Sequence, residues 1–288
     1  MTQPRLTLTE LLVAVLIIGL LILILLPVLA KIRAQRRRTA CANNLPQIGK
    51  AMHWYCNDYD DKLPFAAGLD SRWGTTPNYQ ADTRPAAFGL DSKDTPGEAS
   101  ISASLYLLIK YEDLPPSSFL CKGDIGTTQF IPKEYGLRDK DLIDLWDFGP
   151  DPSRHCSYSY HIPYGPYPLT SSSLPGMAVV ADRNPWLDAP PYPARPLGDL
   201  ASFDPNATGQ SLTCANAVPH EGAGQNVLYM DGRVAFEKTP TCGVKSDNIY
   251  TSHNGHNIKK GIPPTRKSQP AGRLDSLLLH DPPAEDFK

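Results

Sequence analysis

The sequence predicts an α+β protein, in which a long N-terminal helix, apolar enough to span a membrane, packs against a small antiparallel β-sheet head. Three observations predict it. An apolar run extends without a charge from Leu11 to Ala30. An apolar stripe at helical spacing continues after it. Late in the chain, Asp231-Gly232 separates two segments of strand character. The chain has 288 residues, a net charge of −2, 29 prolines and 21 glycines, so helices in the body should be few and loops many.

The apolar run comes first. Twenty helical residues rise about 30 Å, the thickness of a bilayer's hydrocarbon core. One acid, Glu10, stands directly before it, a position that is costly unless it serves a purpose. Five cations follow the run: Lys31, Arg33, Arg36, Arg37 and Arg38. The positive-inside rule alone would place the C-terminal body in the cytoplasm, and a bland reading makes these cations a solvated face near lipid headgroups. A cleaved secretory signal ending at Val28-Leu29-Ala30 is a competitor. Against it stand an apolar core longer than such signals use and the cations that follow at once.

The helical pattern persists beyond the run. Leu45, Ile48, Met52 and Tyr55 recur at spacings of three and four, which marks one buried stripe. Pro27 and Pro46 each remove an amide and should bend the helix. Asn57-Asp58-Tyr59-Asp60-Asp61 and Pro64 end it. A helix over residues 6–59, with 11–30 in the membrane, would be about 80 Å long. The alternative, which Pro46 favours, is a membrane anchor followed by a separate short helix.

Leu6-Thr7-Leu8-Thr9-Glu10-Leu11-Leu12-Val13 resembles the processing site of type IV prepilins and type II secretion pseudopilins. The resemblance implies a leader of residues 1–5, cleavage by a prepilin peptidase between Arg5 and Leu6, and a methylated Leu6 as the mature N-terminus. Arg5 stands where the family pattern has glycine. Glu10 would be the fifth mature residue, paired with the terminal amine of a neighbouring subunit. Such a pair neutralises two charges in a medium that tolerates neither alone. Cys41-Ala42-Asn43-Asn44-Leu45-Pro46-Gln47-Ile48-Gly49 looks like the post-span segment of pilin-like proteins that carry a prepilin-type processing-associated domain. Their mark is His, about nine residues, then Asp-Gly; here ten residues separate His220 from Asp231-Gly232. Phe119–Asp124, Asp247–Thr251 and Asp275–Leu279 are similar to further segments of such proteins.

The resemblance therefore implies a pilin-like fold and a structural role. It implies a single-pass protein of the inner membrane, with its head in the periplasm or on the cell surface. The partners would be the membrane and like or related pilin subunits, in a type II secretion or type IV pilus-like system. The rival from another class is a membrane-tethered extracytoplasmic binding module, or a degenerate enzyme, that never polymerises.

The body, residues 60–262, is long enough for one domain with its own core. Residues 100–111 read as its one good helix, stopped by Pro115-Pro116. Gly68 to Glu98 reads as irregular, and Met177–Asp182 as a short buried strand. Asp-Gly between alternating runs predicts a two-residue hairpin that pairs Met230 with Arg233, Tyr229 with Val234 and Val227 with Phe236. Val227, Tyr229, Val234 and Phe236 would share the core face. Tyr158, Tyr160, Tyr164 and Tyr167 among prolines read as a packed aromatic loop. The tail, residues 263–288, is rich in proline and should be largely disordered, apart from Leu277-Leu278-Leu279 as an edge strand.

Few residues suggest chemistry. His220, Glu221 and Asp231 form a possible ligand set, but a histidine hydrogen-bonded to backbone, pinning the glycine loop, explains them better. His253 and His256 lack a third ligand of matched spacing. There is no phosphate loop, metalloprotease helix or nucleophile elbow. No enzyme activity, cofactor or metal is expected, and no nucleic-acid partner, because basic and aromatic residues do not interleave. Six cysteines suit an exported protein. Cys41 and Cys56 are fifteen apart on the proposed helix, too far to bridge. Cys121 with Cys156, and Cys214 with Cys242, are the preferred pairs among fifteen possible pairings.

Overall fold

The computed structural model describes residues 7–91, 96–187, 200–253 and 257–283; the processing site at Arg5 and Leu6 lies outside them. Helix α1 (Leu8–Ala42) opens with a capping box, in which Thr7 Oγ1 accepts the Glu10 N–H at 3.3 Å and Glu10 Oε2 accepts the Thr7 N–H at 2.8 Å. At 35 residues it is about 52 Å long, and it is long and apolar enough to cross a membrane. Every described residue up to Arg33 is exposed, including the whole apolar run. Pro27 sits inside the helix without ending it.

Pro46 does end it. A proline at 46 in a continuing helix would set its ring against the carbonyl of Ala42 and leave that carbonyl without a donor. The chain instead turns at Asn43-Asn44 and starts α2 (Leu45–Asp58), with Pro46 in the first turn, where a missing N–H is harmless. The single helix expected over residues 6–59 is thus two. The expected stripe holds: Leu45, Ile48, Met52 and Tyr55 are all buried.

The expected irregular stretch is largely irregular. It contains the two-residue strand β1 (Arg72–Trp73), the short helix α3 (Arg84–Phe88), and β2 (Glu98–Ala99), which pairs with β1 in parallel. Helix α4 (Ile101–Glu112) lies where the sequence places it, with Ile101 to Ile109 all buried. Ser100 caps it through the Ala103 N–H at 3.0 Å. Asp281 accepts the Ile101 and Ser102 N–H groups at 3.0 and 2.8 Å, which places negative charge on the positive end of the helix.

The strands β3 (Tyr158–His161), β4 (Ala178–Asp182), β5 (Gln225–Tyr229), β6 (Val234–Glu237) and β7 (Leu278–Leu279) form one antiparallel sheet in the order β6-β5-β4-β3-β7. A short helix, α5 (Gln210–Thr213), precedes β5. One face, with Tyr158, Tyr160, Val180, Leu228 and Leu279, joins α2 and α4 in the main core. The other, with Ala181, Val227, Tyr229 and Leu278, is covered by Ile249 and Tyr250. The chain is therefore a long apolar helix followed by an α+β head with a small antiparallel sheet.

Three expectations change here. Tyr158 and Tyr160 are strand residues, not loop residues; their hydroxyls donate to Cys41 O at 3.1 Å and Pro64 O at 2.9 Å. The tail is not disordered through its described part: Leu277 to Asp281 are buried, and Leu278-Leu279 form the edge strand beside β3. Proline content misleads because Asp281 and the strand bury polar and apolar groups that composition does not locate.

The hairpin register differs by one residue. Leu228 pairs with Val234, Val227 with Ala235 and Asn226 with Phe236. Gly232 N donates to Tyr229 O, and Tyr229 N to Arg233 O, both at 2.9 Å. Gly232 has φ +81, while Asp231 is not left-handed. This is the three-residue loop with a glycine bulge rather than the two-residue turn. The extra residue swaps the faces of β6: Ala235 joins Val227 and Tyr229, while Val234 and Phe236 turn towards the helices.

Candidate functional site at the junction of helix and head

Glu10 sits at the outer end of α1, far from the head in sequence and capped onto Thr7. Its Oε2 accepts from both the backbone and the hydroxyl of Thr7 at 2.8 Å. In the isolated chain the acid thus has a local partner. At the other end of α1, Cys41, Cys121 and His220 converge.

Cys41, in the last turn of α1, forms a disulfide with Cys121, and their Cα atoms are 4.8 Å apart. This replaces the expected Cys121–Cys156 pair. Cys156 is a buried free thiol on the approach to β3, and Cys214 and Cys242 are also free rather than bonded to each other. Burial pushes the Cys156 and Cys242 thiols up to about 12 and the Cys56 thiol to about 11, so these three stay protonated and poorly nucleophilic at neutral pH. Helical spacing rules out Cys56 as the partner of Cys41, and no local pattern points to Cys121, 80 residues away. The one available signal was that Cys41 and Cys121 both lie in the segments that carry the family resemblance.

The disulfide is one of several ties. Asn44 Nδ2 donates to Leu120 O at 2.7 Å and to the Tyr158 hydroxyl at 3.1 Å. The Tyr158 hydroxyl in turn donates to Cys41 O, a carbonyl of the last helical turn that also accepts the Asn44 N–H at 3.2 Å. The Arg38 guanidinium lies 4.7 Å from the Phe236 ring centroid. Gly49 lets α2 approach β5, since a Cβ there would stand 3.1 Å from Leu228 Cδ1. Gly123 is more constrained: a Cβ there would meet Pro219 O at 2.3 Å.

His220 is buried in this junction. Its Nε2 lies 3.0 Å from Asp182 Oδ2, 3.0 Å from Asn226 Nδ2 and 3.8 Å from Cys121 Sγ. Asp182 Oδ2 also accepts Asn226 N at 2.6 Å. The histidine does pin the glycine loop, but through a carboxylate and an amide side chain rather than through backbone. Its ring meets Phe236 edge-on, with centroids 6.0 Å apart. Asp182 was not singled out from the sequence, where it is merely the polar end of a buried strand.

The residues weighed with His220 do not join it. Glu221 is exposed with φ +56, in the turn after His220. Asp231 and Gly232 are exposed at the far end of β5, where Asp231 Oδ1 accepts Arg233 N at 3.0 Å. They build the hairpin and have no part in the junction. His256 lies outside the described residues. Next to the junction, Arg183 Nε and Asp124 Oδ2 form a buried ion pair at 2.9 Å, and Arg183 Nη2 donates to Cys156 O at 3.0 Å. A guanidinium with a charged partner and carbonyl acceptors is a group a core can hold.

Chemically, the arrangement clamps. It fixes the base of the apolar helix to the sheet through a covalent bond and buried hydrogen bonds. Comparison with protein-family models, with curated proteins and with solved structures gave no match, so this geometry carries the functional reading.

Proposed function

We propose that the chain is a pilin- or pseudopilin-like structural subunit, held in the inner membrane by α1, with the head outside the cytoplasm. It would assemble with like or related subunits through the exposed part of α1. The observation that carries this reading is a rigid rod with nothing of its own to pack against. Leu8 to Arg33 is exposed throughout, yet the rod's base is bonded and hydrogen-bonded into the head. A flexible tether would only need the apolar run; a rod that transmits position needs the clamp as well.

The test is the mass of the mature N-terminus. A methylated chain beginning at Leu6 supports the reading, whereas an intact Met1, or a chain starting at Lys31, overturns it. In assembly, Glu10 would exchange its cap on Thr7 for the amine of the next subunit. Glu10→Val is therefore expected to insert into the membrane but to lose detergent-extracted multimers, and unchanged multimers would remove the role given to Glu10.

A second reading, a membrane-tethered binding module, is favoured by a groove of about 1530 Å³ on the head. Arg72, Tyr167, Arg266, Lys267 and Arg273 line part of it. The two readings separate on Ile17→Cys in native membranes. Disulfide-linked dimers support assembly through α1, and none under oxidation supports the tethered module.

A further inference from the structure

The junction holds more than a clamp requires. The Cys41 and Cys121 sulfurs and the His220 Nε2 all lie within 4.8 Å of one another, and all three residues are buried. They come from the end of α1, from the segment after residue 120 and from the loop before β5. A fourth donor is in reach, since Asp182 Oδ2 is 3.0 Å from His220 Nε2. Asp182 is fully buried, and its Oδ1 has no hydrogen-bond partner among the described residues. A buried carboxylate with donors on one oxygen only is costly, and a cation beside it would offset its charge.

We propose that the reduced junction is a Cys-Cys-His-Asp site for one soft divalent cation, with zinc as its natural occupant. Tetrahedral zinc with sulfur at about 2.3 Å and nitrogen at about 2.0 Å sets its ligands about 3.5–3.8 Å apart. Cys121 Sγ and His220 Nε2 are already at 3.8 Å. The two sulfurs must separate, from bonding distance to about 3.8 Å, with Cys41 Sγ, now within 4.8 Å of His220 Nε2, moving onto the cation. The N–H of Gly123 points at Cys121 Sγ at 3.4 Å, which favours a thiolate there. The cation would sit between Nε2 and Oδ2, which are 3.0 Å apart.

The step balances with a dithiol reductant. The dithiol gives two electrons and two protons to the Cys41–Cys121 disulfide and leaves as its own cyclic disulfide. Zinc then displaces the two thiol protons and binds both thiolates. The base of the rod is therefore held in two alternative ways, by the S–S bond when oxidised and by the metal when reduced.

The test uses the full chain in detergent, with cobalt(II) as the spectroscopic probe. After reduction by a dithiol and its removal without air, one cobalt per chain is expected, with a thiolate-to-cobalt charge-transfer band and strong tetrahedral d–d bands. One equivalent of zinc should bleach them, and the oxidised chain should show neither. The double variant Cys41→Ser, Cys121→Ser keeps the four other cysteines and should lose the bands. His220→Gln should bind cobalt at least tenfold more weakly and shift the d–d bands. Bands that persist in the double variant overturn the site. So does a reduced wild-type chain that binds no cobalt, whether or not its near-ultraviolet circular dichroism shows a folded head.

Discussion

At the scale of single residues, Gly123 and Asp247 make the strongest statements. Any side chain at 123 is driven into a backbone carbonyl, which cannot rotate away as a flexible side chain would. Gly123→Ala is expected to lower stability by about 1–3 kcal/mol, seen as a fall in the thermal midpoint of the head. Asp247 is buried beside Asp275, and burial first, then that neighbouring carboxyl, raises its pKa to about 8. A carboxyl raised above its unfolded value of about 3.9 binds its proton more tightly in the folded state. Its contribution is therefore complete below about pH 4 and is lost as pH rises towards 8. Denaturant titrations should show stability falling across that window. Asp247→Asn, neutral at every pH, should flatten the fall, and an unchanged slope would place its cause elsewhere.

At the scale of elements, the Cys41–Cys121 bond closes a separation of 80 residues between α1 and the head. Removing such a bond typically costs about 2–5 kcal/mol, because the unfolded chain regains the freedom the loop denied it. Cys121→Ser should lower the melting temperature accordingly. Amide exchange should rise first in the last turn of α1, where the Asn44, Tyr158 and Arg38 contacts then remain. The hairpin gives a second prediction at this scale. Gly232 has φ +81 with open space around it, so Gly232→Ala should cost about 1 kcal/mol by backbone strain and not by a clash. A cost well above that would point back to the tighter two-residue turn.

At the scale of the molecule, the chain divides by exposure rather than by sequence boundaries. Up to Arg33 nothing in the head covers α1, while from Cys41 onwards the chain belongs to the head. A chain lacking residues 1–33 is expected to be water-soluble and to keep the circular dichroism of the full head. The opposite is expected at the other end. Cutting after residue 274 removes β7 and Asp281, and with them the edge of the sheet and the carboxylate at the start of α4. That chain should aggregate or fail to fold, judged by size-exclusion chromatography.

The sequence by itself determined the local elements. The apolar run, the stripe on α2, the capped helix α4 and the strand β4 are written in periodicity and capping, which depend on near neighbours only. It also marked His220 and the Asp-Gly turn. Only the tertiary structure decided who meets whom. It joined Cys41 to Cys121, put Asp182 against His220, slipped the hairpin by one residue and folded the proline-rich tail into the core. Apart from the hairpin, whose register is set by its glycine bulge, each of these rests on contacts between segments far apart in the chain. Their partners are chosen by packing and by buried polar groups that must be satisfied, and no local pattern carries that information.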